Sequence, residues 1–310
     1  MLSTRLFHSI RRASGPIIKV DKAMTVKSVG VDVKKVWDAE LVKTFWEQRG
    51  QQYHDMKISD IPRWQKAFGD NLKLSATFLK DTNELLGTTS ALGHYPLLPT
   101  GKPFIFHGLL WVKPDYRSSH MLSIQNVMIQ ECGEKFDVWS SSCLKSSINY
   151  WKSVSDSSRI DFNYYISYYD IGDMKIPDDK YDNVIVKNAR DVPDDDIVAY
   201  DKDGKVIGFG AVSTYPSGEC CITPMYGDNK MVARAIFKSI LEEMTLDREK
   251  YWRIQVRSND RCKDSYEWIR PFIKPFIHRN HLATLMFTEP PEGIDTSKVF
   301  CNCHPTICPV

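Results

Sequence analysis

An internal repeat constrains this chain more than any other feature. Residues 74–92, LSATFLKDTNELLGTTSAL, read as a strand, an Asp-Thr-Asn turn and a second strand. Residues 197–213, IVAYDKDGKVIGFGAVS, have the same form around a Lys-Asp-Gly turn. Gly87 and Gly208 fall at matching places, each just after an apolar pair. Downstream, Trp111-Val112-Lys113-Pro114-Asp115-Tyr116 and Cys221-Ile222-Thr223-Pro224-Met225-Tyr226 share an apolar-x-Pro-x-Tyr pattern. Three residues later come His120-Met121 and Lys230-Met231, each opening a helical pattern. The spacing predicts helices near 121–132 and 230–244, the second with Val232, Ile236, Ile240 and Leu241 inward. Strands at Phe136–Ser140 and Trp252–Arg257 follow, then Asn149-Tyr150-Trp151 and Tyr266-Glu267-Trp268. Several blocks in one order imply two related α/β units rather than coincidence.

The repeat sets the expected boundaries. A first domain spans 25–172, an acidic Pro-containing linker 173–196, and a second domain 197–310. Residues 31–49 carry Val33, Val36, Trp37, Leu41 and Phe45 near a 3.6 period and predict a helix. Another short helix is expected over Ile61–Phe68, with Pro62 in its first turn. The segment HYPLLPTGKP (94–103) reads as a loop inserted into the first copy only.

Composition removes several classes. The 310 residues hold 41 Lys+Arg and 39 Asp+Glu, with a hydrophobic fraction of 42%. That is a globular balance. No run of about 18 apolar residues is present, so membrane insertion is not expected. Residues 1–20 contribute Arg5, Arg11, Arg12 and Lys19 and no acid. The remainder holds 37 basic and 39 acidic residues and shows no nucleic-acid footprint. Basic, Ser-containing and amphipathic, residues 1–20 read as a mitochondrial transit peptide and imply a matrix location, with the cytoplasm as the alternative. Eight cysteines are too sparse for a disulfide scaffold. The C-terminal FCNCHPTICPV gathers Cys301, Cys303, His304 and Cys308, but in no common zinc spacing. It reads as a terminal loop with free thiols, and no metal site is expected.

Strand–turn–strand, then a strand running into Val112-x-Pro114-x-Tyr116-Arg117, then a helix, resembles the GNAT acetyltransferase superfamily. The doubled layout resembles two-domain GNAT-like families, including some expanded in nematodes. The resemblance implies a mixed α+β fold, with two GNAT-like domains each built on a mostly antiparallel sheet flanked by helices. It also implies an acyl-CoA cosubstrate, acetyl-CoA in the first instance. Its pyrophosphate would face the backbone N–H groups of a strand–helix loop, and its pantetheine arm would lie between two splayed strands.

Carried over by residue, the resemblance puts Val112 on the strand beside the thioester. Arg117, Ser118, Ser119, His120, Met121 and Leu122 form the cofactor loop. His120 and Leu122 stand where the family has small residues. Tyr150 is the candidate general acid and His107 a candidate base. In the second copy Gly227-Asp228-Asn229-Lys230 puts an acid where the anion would lie, so that unit is expected to be structural or a substrate-side lid. The expected function is direct N-acyl transfer to an amine, small molecule or peptide. The alternative is a catalytically inactive GNAT-fold acyl-CoA sensor or interaction protein.

Overall fold

A computed structural model describes residues 31–34, 39–49, 60–95, 102–116, 136, 138–149, 152, 159–188, 195–215, 217–245, 250–274, 279–289 and 295–302. The chain divides into two compact units. Unit 1 comprises 1–142, 147–159 and 287–292, and unit 2 comprises 143–146, 160–286 and 293–310. The first 30 residues lie outside the described set.

In unit 1 the first strand, β1 (Val31–Lys34), precedes helix α1 (Ala39–Arg49). A single helix over 31–49 was the expectation. Val31-Asp-Val33-Lys34 alternates with period two and extends instead, pairing antiparallel with the strand that begins at Leu72. Helix α2 (Asp60–Phe68) carries Pro62 in its first turn, where the missing N–H costs nothing. Strands β2 (Leu72–Leu79) and β3 (Glu84–His94) form the first hairpin. Strand β4 (Phe104–Val112) pairs antiparallel with β3, and β5 (Val138–Cys143) pairs parallel with β4. The sheet order is β1-β2-β3-β4-β5. Leu41 and Phe45 of α1 and Ile61 of α2 are buried, and Phe45 meets the Trp111 ring edge-to-face at 6.0 Å.

Unit 2 opens with β6 (Arg159–Asp170), which carries a run of tyrosines. It continues with β7 (Ile185–Asn188), β8 (Asp195–Tyr200), β9 (Val206–Thr214) and β10 (Glu219–Gly227). Helix α3 (Lys230–Thr245), β11 (Arg253–Asn259), β12 (Arg279–Phe287) and β13 (Val299–Cys301) complete it. The sheet order is β12-β6-β11-β10-β9-β8-β7, with β13 on β10. Only β10–β11 is parallel among the pairs whose register is described. The span 173–196 holds a paired strand, β7, as well as connection.

The second hairpin turns as its residues dictate. The Asp201 carboxylate accepts from the amides of Asp203 and Lys205, and Gly204 takes φ +81. Helix α3 buries Val232, Ala233, Ile236, Phe237, Ile240, Leu241 and Met244 on one stripe. It approaches β9 closely because Gly208 lacks a Cβ: an added one would lie 2.6 Å from Val232 and 2.8 Å from the Tyr226 carbonyl oxygen. Trp268 and Phe272 stack edge-to-face on Phe237 beneath it.

The register corrects one detail of the repeat. In unit 1 Phe104–His107 pair with Val138–Ser141, and in unit 2 Glu219–Ile222 pair with Arg253–Val256. Both sets of four are related by a constant shift of 115 residues. Gly87 opposes Val112, and Gly208 opposes Gly227. Val112 therefore corresponds to Gly227, not to Ile222. Pro114 begins a 3-10 turn (Pro114–Tyr116) after β4 has ended, while Pro224 lies inside β10. The shared apolar-x-Pro-x-Tyr pattern is a coincidence of two different settings.

Candidate functional site

The place where β4 parts from β5 is the chemically distinctive feature of unit 1. The parallel ladder ends at His107–Ser141, yet β4 runs on to Val112. The parting coincides with a bulge. Ser90 opposes Gly108 and Thr88 opposes Trp111, so Leu109 and Leu110 share one partner, Thr89. Leu109 takes φ +47, which costs a branched residue on the order of 1 kcal/mol. Thr88 Oγ1 donates to the Leu109 carbonyl oxygen at 2.9 Å and holds the bulge. Burial of Leu109 and Trp111 offsets the strain.

The lining of this region is unusual for an apolar sheet. Thr89, Ser140 and Ser141 are buried, and their hydroxyls have no hydrogen-bond partner among the described residues. A buried polar group left so costs about 1–3 kcal/mol, unless water or a ligand completes it. Sequence reasoning missed all three residues. The signal was there: Ser140-Ser141-Ser142 interrupts an otherwise apolar strand.

His107 pairs with Ser141 in register, so the two side chains share a face. Burial pushes the His107 imidazole down to about 3 and the His94 imidazole down to about 4. His94 stacks on Phe104 at 4.6 Å. Both rings are neutral and weakly basic at physiological pH. His107 thus lies at the parting of the strands, but its basicity suits a positioning role rather than proton abstraction.

Val112 is buried at the end of β4. Lys113 follows, paired with Glu84, and its amide donates to the Leu86 carbonyl oxygen at 2.8 Å. Tyr116 is buried at the end of the 3-10 turn. Arg117, Ser118, Ser119, His120, Met121, Leu122 and Tyr150 lie outside the described residues. Of the expected site, the structure describes Val112 and His107.

Unit 2 has the same parting. Its parallel ladder ends at Ile222–Val256, and Thr223 and Pro224 bulge opposite Ala211. Three things differ. Strand β13 pairs with β10 beyond the parting. The Asn229 side chain accepts from the amides of Met231 and Val232 at 2.9 and 3.2 Å, capping α3. Asp228 is paired with Lys298 at 2.8 Å. In unit 2 only six residues separate β7 from β8, whereas α1 and α2 lie between β1 and β2 in unit 1. Tyr226, which corresponds to Trp111, is only partly buried beside an exposed Phe209 at 4.7 Å. Cys301 is a buried strand residue, not part of a free loop, and burial pushes its thiol well up. Cys303, His304 and Cys308 lie outside the described residues. Among the described residues no helix is long and apolar enough to cross a membrane.

The fold as a whole is similar to solved structures described as GNAT-type acetyltransferases. A Pyrococcus horikoshii protein provisionally described as an acetyltransferase matches with TM-score 0.62 at 14% identity, over 90% of this chain and 96% of its own. A tandem GNAT protein from the clavulanic acid biosynthesis pathway matches with TM-score 0.54 at 10% identity, over 84% and 99%. A GCN5-related N-acetyltransferase from Sphaerobacter thermophilus gives 0.53 at 12%, over 86% and 98%. The fold is therefore GNAT-like, mixed α+β and mostly antiparallel. By sequence, residues 29–203 match the model described as Protein of unknown function (DUF1248), and the chain belongs to that family. No curated protein matches the chain.

Proposed function

We propose that unit 1 binds an acyl-CoA, acetyl-CoA in the first instance, and transfers the acyl group to an amine. One observation carries the reading: β4 leaves β5 at His107–Ser141 beside buried hydroxyls that lack a described partner. An extended chain bearing amides fits such a place, because it can complete both a strand edge and the Ser141 hydroxyl, which shares a face with His107. Bound there, an acyl-CoA supplies an activated thioester carbonyl. Val112 and the bulge at Leu109 form the strand wall along which that carbonyl is oriented. Arg117 and the backbone from Ser118 to Leu122 take the pyrophosphate charge. Neutral His107 shapes the base of the gap. Tyr150 gives its phenolic proton to the departing sulfur, and the acceptor's amine proton passes to water.

One observation favours the second reading, an acyl-CoA sensor without turnover. His107, at the parting of β4 and β5, is too weakly basic to accept an amine proton efficiently. Binding and turnover separate the readings. Titration calorimetry with acetyl-CoA is expected to give micromolar affinity, weakened about tenfold in Arg117→Ala by loss of one charge-assisted phosphate contact. An amine panel then reports turnover. No heat with any acyl-CoA at millimolar concentration refutes both. The address in residues 1–20 is proposed to direct the chain to the mitochondrial matrix, and imaging with and without that segment tests it.

A further inference from the structure

We infer that strand β13 is a built-in occupant of the strand gap of unit 2, so that this unit is closed to acyl-CoA and the chain carries one cofactor site. The inference rests on the reading of the unit 1 gap given above.

The place is the same in both units. Each parallel ladder is four pairs long, and each parts just before a bulge. In unit 2 the chain itself enters the opening. Met225 opposes Cys301 and Tyr226 opposes Val299, antiparallel, on the part of β10 that β11 no longer reaches. The far side is tied to β11, where the Asn302 amide donates to the Arg257 carbonyl oxygen at 2.8 Å. β13 thus takes backbone partners from both strands that have parted.

A side-chain clamp fixes it. The Asn259 amide nitrogen donates to the Val299 carbonyl oxygen at 2.9 Å and to Asn302 Oδ1 at 3.1 Å. Asn259 Oδ1 in turn accepts from the amides of Arg261 and Cys262 at 2.9 and 2.8 Å. Val299, Phe300, Cys301 and Asn302 are all buried, and Phe300 meets Trp268 edge-to-face at 6.3 Å. The strand is part of the core of unit 2 rather than a flap over it.

The anion end is filled as well. Asn229 uses the first free amides of α3, and Asp228 puts a carboxylate at the strand–helix corner, where Lys298, the residue before β13, pairs with it. A pyrophosphate would have to displace a cap and meet a like charge. Arm and anion subsites are thus both occupied by side chains and backbone of unit 2.

Hydrogen exchange by mass spectrometry on the full chain, with and without millimolar acetyl-CoA, tests this. Without ligand, the segment 299–302 is expected to exchange as slowly as α3, more than about a thousandfold slower than the exposed turn 201–205. Exchange as fast as that turn overturns the inference. With ligand, slowing is expected within 104–122 and 138–143 only, with one molecule bound per chain by calorimetry. Slowing within 219–228 or 299–302, or two molecules per chain, overturns it. Absence of any ligand effect refutes acyl-CoA binding by unit 1, while the ligand-free rates still decide whether β13 is a permanent occupant.

Discussion

Replacing Asn259 by alanine is the sharpest test of how unit 2 is held together. The side chain is fully buried and makes four hydrogen bonds, two as donor to Val299 and Asn302 and two as acceptor from Arg261 and Cys262. A net of about 1 kcal/mol each gives a loss of about 4 kcal/mol. The Val299 carbonyl and the Cys262 amide left without a partner keep the figure from being smaller. Against a native stability of about 5–15 kcal/mol this is a large fraction. Native-state hydrogen exchange across 253–259 reads it as a rise of roughly a thousandfold, since each 1.4 kcal/mol is tenfold. Asn259→Asp is the control of equal size: it keeps both acceptor bonds but turns the donor into an oxygen facing two oxygens. That variant is expected to loosen 299–302 at least as much as alanine does. A loss under about 1 kcal/mol in the alanine variant, or an aspartate variant as stable as the parent, would refute the reasoning.

Other perturbations probe other parts. Gly208→Ala forces a Cβ to within 2.8 Å of the Tyr226 carbonyl oxygen and is expected to cost unit 2 about 1–3 kcal/mol, read as a lowered Tm. Phe45→Ala empties a fully buried ring site against Trp111 and is expected to cost unit 1 about 3–5 kcal/mol in urea unfolding. The folded pKa values of His107 (about 3) and His94 (about 4) lie below the ordinary 6.5, so the unfolded chain binds the extra protons as pH falls. Stability is complete above about pH 6.5 and falls toward pH 4 by about 1.4 kcal/mol per unit for each histidine. Urea midpoints at several pH values should show it, and His107→Gln should remove about half the slope.

The hairpins were legible because turn chemistry and alternating apolar residues agree locally, and Gly87 and Gly208 do occupy equivalent places. Helix α3 was legible because its apolar stripe spans four turns. The tyrosine-rich β6 was passed over, since its run of Tyr164, Tyr165, Tyr168 and Tyr169 alternates poorly. The Pro114 and Pro224 blocks misled because a five-residue match ignores register, which only the pairing of β4 and β10 with their neighbours sets. The position of β13 was illegible: three residues acquire meaning from partners more than thirty positions away. Of the candidate site, residues 117–122 rest on the resemblance alone and lie outside the described residues, whereas Ser140 and Ser141 needed the sheet to show where the ladder stops.

A strand that fills a gap from within the same chain obeys different mass action from a metabolite that fills one from outside. A bound metabolite stabilises its host by an amount set by its concentration over its dissociation constant. A tethered segment such as Val299–Cys301 is present at a fixed effective concentration, whatever the cell contains. The two halves of this chain are then buffered unequally. If unit 1 binds an acyl-CoA as proposed, its stability follows the acyl-CoA supply, while the second keeps its own through fasting and plenty alike.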